Sequence, residues 1–195
     1  MEILIKQKRF DVAVASRNFE IDLFWKRSLF FWGFISAAFI GFATARASEA
    51  SEVSVALATF GAICSAAWTL VNRGSKYWQE AWEQKVERSE LQYLGAALFA
   101  AEEDRLDKGV WLSARKYSVT KLAIALSDYI FLLWLCFMAL ESARFFEIDL
   151  SDLDKEKMVE CFLIASLGYL ILILWSGRKS PAKPKEQAAS IDPQP

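Results

Sequence analysis

The sequence predicts an all-α, polytopic membrane protein with four transmembrane helices and a cytoplasmic helical hairpin that extends spans two and three. Three observations predict it. Four runs of 17 to 20 residues are almost free of charge, close to the ~20 residues a helix needs to cross a bilayer core. Lysines and arginines gather on alternate sides of those runs. All four prolines, Pro181, Pro184, Pro193 and Pro195, fall in the last fifteen residues, so no breaker of that type interrupts the first 180.

The elements follow in order. Residues 1–27 carry six lysines and arginines and form an N-terminal cytoplasmic amphipathic segment, in which Phe19, Leu23 and Arg27 share a face. Residues 28–71 make a transmembrane hairpin: 29–45 and 53–71 contain no charge and are joined by RASEASE, too short for anything but antiparallel neighbours. Ala45-Arg46-Ala47 resembles a signal-peptide cleavage site. The charged stretch before the run is too long for such a leader and a second span follows at once, so the first run is expected to stay. Residues 72–121 are the cytoplasmic arms. WQEAWEQKVERSELQYL is rich in helix formers, Trp78, Trp82 and Val86 recur at i, i+4, i+8, and Lys76 and Glu80 are spaced for an ion pair. Asp107-Lys108-Gly109 signals a turn, and residues 110–121 lead helically into the third span. Residues 122–177 hold spans three and four with an acidic outer loop at 141–157, and 178–195 form a disordered cytoplasmic tail. Nineteen lysines and arginines fall on the side of the two termini and four on the other, which places both termini in the cytoplasm.

Composition narrows function. A mean hydropathy of +0.20 with 24% charged residues suits a chain that is part bilayer and part water-exposed. The net charge of −1 gives no reason to expect nucleic acid as a partner. With no histidine, the usual zinc sites and Ser/His or Cys/His nucleophile pairs are missing, and no phosphate loop or HExxH motif occurs. Neither catalytic residues, nor a cofactor, nor a metal site is expected. Cys64, Cys136 and Cys161 are far apart inside or beside apolar runs and read as packing residues.

Three groups of residues stand out. Asp128 lies about 10 Å along the third span from Lys121 at 1.5 Å per residue. An ionised carboxylate there must face protein or water, as a pore-lining or interhelical polar position. Asn72, Arg73, Lys76, Trp78 and Trp82 mark the inner end of span two. The basic residues among them either reach lipid phosphates or, in an oligomer, form a charged collar or docking surface. Gly33, Ala37, Gly41 and Ala45 in span one, and Ser54, Ala58, Ala62 and Ala66 in span two, recur every fourth residue and would let helices approach closely, within the hairpin or between subunits. Seven of the eight tryptophans, Trp25, Trp32, Trp68, Trp78, Trp82, Trp111 and Trp175, cluster near the inner boundary as an interfacial belt, except that Trp78 and Trp82, where they project past the headgroups, are expected to bury against a neighbouring arm or subunit.

RNFEIDLFWKRSLFFWGFI at 17–35, VNRGSKYWQEAWE at 71–83 and ARKYSVTKLAIALSDYIFLLW at 114–134 resemble the RipA family of octameric bacterial inner-membrane proteins, with NRGSKYWQ at 72–79 the most specific element. The resemblance implies a bacterial inner-membrane protein that self-assembles, with a cytoplasmic layer and no assigned catalysis. Two classes of function stay open. One is a non-enzymatic scaffold or sensor that meets lipids and its own copies and presents helical arms to a cytoplasmic protein partner. The other is a pore-forming effector of a stress or antiphage defence system.

Overall fold

The computed structural model describes residues 1–95, 118–148 and 154–176. The turn at 107–109, Trp111, the arm leading into span three, residues 149–153 of the outer loop, and the tail lie outside these residues. Every regular element among them is α-helical: α1 (Glu2–Ala47), α2 (Ser51–Leu94), α3 (Val119–Phe145) and α4 (Lys155–Ser176). Each is long and apolar enough to cross a membrane.

α1 and α2 form one long antiparallel hairpin. Ser48, Glu49 and Ala50 close it, with Glu49 at φ 56 and the Ala50 amide donating to the Ala45 carbonyl at 3.0 Å. The pairing persists over the whole length. Trp32 packs edge-on to Trp68 with centroids 6.3 Å apart, Arg27 Nη1 donates to Ser75 Oγ at 3.0 Å, and the rings of Phe10 and Tyr93 lie 6.0 Å apart. At 1.5 Å per residue the 46 residues of α1 measure about 69 Å and the 44 of α2 about 66 Å. A bilayer core is roughly 30 Å thick, so both helices overrun it, and the excess lies at the end holding Glu2 and Leu94, here called the basic end. Residues 1–27 are thus the first half of an unbroken helix. The arm after Trp78 continues span two to Leu94, where Gly95 in the left-handed conformation ends it. Among the described residues that arm packs on the first half of α1, with Ala13, Phe24 and Val86 buried between them.

α3 lies antiparallel to α2 and closes the core. Trp134 is fully buried, against Ala38, Ala58 and Ala62. Phe39 and Phe42 of α1 reach it with centroids at 4.5 and 5.8 Å, and Phe42 stacks on Phe137 at 5.0 Å. Gly61 makes the arrangement possible, because the Trp134 ring occupies the space where a β-carbon would be. Among the described residues α4 touches only α3, and no residue of its apolar window is buried.

Candidate functional site at the charged ends of the bundle

Helical registry brings distant charges together at two levels. Near the basic end, Arg73 projects from α2 about 7 Å on the membrane side of Trp78 at 1.5 Å per residue. It meets Asp128 of α3 through two parallel bonds, Nη1 to Oδ1 and Nη2 to Oδ2, each 2.8 Å. This planar fork matches both carboxylate oxygens and neutralises the charge where low dielectric makes an unpaired carboxylate costly. The side chains remain 50% and 26% exposed, so the pair sits at the bundle surface. Beside it, Tyr169 of α4 donates to the Ala125 carbonyl at 2.8 Å, and the hydroxyls of Tyr129 and Ser166 lie 3.0 Å apart. These bonds fix α4 to α3. Ser118 caps α3, and Thr120 donates to Gln79 Oε1 at 3.1 Å, tying the start of α3 to the α2 arm.

At the opposite, loop end, Glu141 of α3 is buried and takes two guanidinium groups on the same oxygen. Arg46 Nε of α1 is 3.2 Å and Arg144 Nη1 is 2.8 Å from Oε1. This cluster, the only ion pair that links α1 to α3 among the described residues, was not singled out from sequence. Glu141 and Arg144 show an i, i+3 spacing, but Arg46 lies 95 positions away and only the fold adds it.

The other sequence candidates divide by environment. Asn72 is buried and directs Nδ2 toward the Ala123 carbonyl at 3.5 Å. Lys76 pairs with Glu80 as its spacing predicts. Trp78 is exposed, whereas Trp82 is half-buried beneath the Lys85 ammonium, 3.9 Å from its ring centroid. In the second stripe Ser54, Ala58 and Ala62 are buried and Ala66 half-buried. In the first, Ala45 is buried and Gly41 abuts Leu57, while Gly33 and Ala37 face outward. Trp25, Trp32, Trp78 and Trp175 are exposed, and Trp68 is buried in the bundle. Among the described residues no three histidine, cysteine or acidic side chains group as metal ligands, and the three cysteines are free.

These features define a class: a four-span helical membrane protein with paired charges at both ends and two helices that continue past the bilayer. The chain belongs to the octameric membrane protein family (8xMP), whose model matches residues 7–143. The match takes in α1, α2 and nearly all of α3, is consistent with the resemblance to RipA proteins, and implies self-association. No curated protein and no solved structure matches the chain.

Proposed function

We propose that the protein is a non-catalytic, homo-oligomeric scaffold or sensor of the bacterial inner membrane, with both termini cytoplasmic, that presents the paired α1–α2 arm to a cytoplasmic protein. One observation carries the reading: two membrane helices continue without a break into a mutually packed rod. From Trp25 to Glu2 that rod extends about 35 Å beyond the aromatic level at 1.5 Å per residue. A lipid anchor alone has no use for such a projection, and its surface carries exposed Val12, Phe19 and Leu91 among charges. Exposed apolar groups that project into water, away from the lipid, suit a protein partner. In an oligomer the Arg73–Asp128 and Lys76–Glu80 pairs and the exposed Trp78 recur once per subunit around the symmetry axis, which is how a docking surface arises from one modest site.

The scaffold reading is preferred to a pore because Asp128 is already neutralised by Arg73 and offers no free carboxylate to a passing ion. The test uses the full chain in lipid. Native mass measurement in nanodiscs should give a multiple of the 22.1 kDa subunit, vesicles containing the protein should hold a potassium gradient as well as empty ones, and photo-crosslinkers placed at Phe19 or Leu91 should trap a discrete cytoplasmic protein. A monomeric mass, or vesicles that leak, would overturn it.

A further inference from the structure

Glu160 is a charge within the fourth span that the described residues leave unpaired. It is exposed on α4, and among the described residues neither it nor Glu156, one turn earlier on the same face, has a side-chain hydrogen bond or ion pair. Its depth follows from registry. Tyr129 meets Ser166 and Ala125 meets Tyr169, so α3 and α4 run antiparallel with Glu160 level with Leu135. That is six residues inward from Glu141, or about 9 Å at 1.5 Å per residue. A carboxylate at that depth must face protein or water rather than acyl chains. The same face continues at alternating spacings of three and four with Leu163, Leu167, Leu170 and Leu174, a seam of the kind helices use to interlock. It lies to one side of the α3 contact, since Ser166 and Tyr169 point to α3 and all four leucines are exposed.

The complementary charge sits on the opposite edge of the same chain. At the loop end, among the described residues, two guanidinium groups share the single carboxylate of Glu141, one positive charge more than it balances, and the side chains of Arg46 and Arg144 remain 43% and 49% exposed. Side chains lean toward the start of their own helix. Arg46 and Arg144, on helices that begin at the basic end, lean into the bilayer; Glu160, on a helix that begins at the loop end, leans out. The two sets converge in depth.

Resting on the assembly reading above, we propose that α4 of each subunit lies against the α1–α3 face of the next copy, with Glu160 pairing in trans with the Arg46–Glu141–Arg144 cluster. α4 falls beyond the residues matched by the family model. Such a head-to-tail contact uses two different surfaces and forms a ring where the rotation between copies divides a full turn.

The test exploits the exposure of Glu160, whose replacement removes no hydrogen bond or ion pair among the described residues. Glu160→Arg should lose the large species in nanodisc mass measurement while leaving the helical content and unfolding temperature of the subunit unchanged, and adding Arg144→Glu should restore it. Independently, with the three cysteines replaced by serine, Ser36→Cys and Leu163→Cys together lie at matching depth. Oxidising membranes that carry both should give a ladder of linked subunits on denaturing gels. A full-size assembly with neither a ladder nor sensitivity to Glu160→Arg overturns this contact and leaves the assembly reading standing. A wild-type chain that never assembles overturns both.

Discussion

Gly61→Ala is the perturbation whose cost follows most directly from the geometry. A methyl carbon at residue 61 would meet three ring carbons of Trp134, Cε2 at 2.5 Å and Cδ2 and Cε3 closer still, where ordinary contact begins near 3.4 Å. The ring has nowhere to retreat. It is fully buried, with Phe39 at 4.5 Å, Phe137 at 5.7 Å and Phe42 at 5.8 Å around it. Overpacking of this kind typically costs about 1–3 kcal/mol. Because α2 or Trp134 must shift as a unit, the upper end applies: about 3 kcal/mol, a change of roughly a hundredfold in the folded-to-unfolded ratio. The assay is denaturation by sodium dodecyl sulfate in mixed micelles, followed by tryptophan fluorescence. Gly74→Ala is the control, since a β-carbon there meets nothing within 4 Å, and helix propensity alone makes that substitution neutral or stabilising by up to ~1 kcal/mol. If the two alanine variants unfold at the same denaturant fraction, the close approach of α2 to Trp134 is wrong. Trp134→Leu combined with Gly61→Ala should recover part of the loss, because the smaller side chain vacates the clash.

Other outcomes follow from the charged ends. Arg73→Leu leaves Asp128 unpaired at a half-exposed position and should cost about 2 kcal/mol, between the values for surface and buried pairs; Asp128→Leu in the same chain should return most of it, read as a coupling energy in a double-mutant cycle. Glu141→Gln should destabilise more than Arg46→Gln in the same micelle assay, since removing the carboxylate leaves two arginines facing each other and removing Arg46 leaves the Arg144 pair intact. Tyr129→Phe with Tyr169→Phe deletes the side-chain hydrogen bonds that hold α4 and should raise proteolysis between α3 and α4 severalfold. With the three native cysteines replaced by serine, a cysteine placed at Trp78 should react with membrane-impermeant maleimide only after the cells are opened, and one placed at Ser48 in intact spheroplasts; the reverse pattern would overturn the orientation.

Much of the fold was legible because lipid imposes a simple rule: uncharged runs of bilayer length become helices, and a seven-residue link makes neighbours of two of them. The small-residue stripes were legible in part, for a geometric reason. A period of four overshoots the 3.6-residue turn, so each step drifts about 40° around the helix. Across the three steps from Gly33 to Ala45 the stripe winds from the outer surface into the hairpin. The same drift on α2 stays covered because that helix has neighbours on two sides, α1 and α3. Trp78, Trp82 and Val86 show it again, passing from exposed through half-buried to buried. The pairing of Arg73 with Asp128 could not be read, since it depends on the α2–α3 register across a long intervening segment, and the Glu141 cluster needed α1 and α3 to be brought side by side by α2.

The uninterrupted course of α1 and α2 through the membrane surface makes each hairpin a lever. With no proline or glycine hinge between Trp25 and the amino terminus, any reorientation of the embedded half is delivered undamped to the far tip. A change in tilt of about 10°, of the size helices adopt when bilayer thickness changes, swings a tip 35 Å away sideways by about 6 Å. In a closed ring of such levers the tips would spread or gather together, so that the spacing of the outermost residues reports the thickness of the lipid around the base.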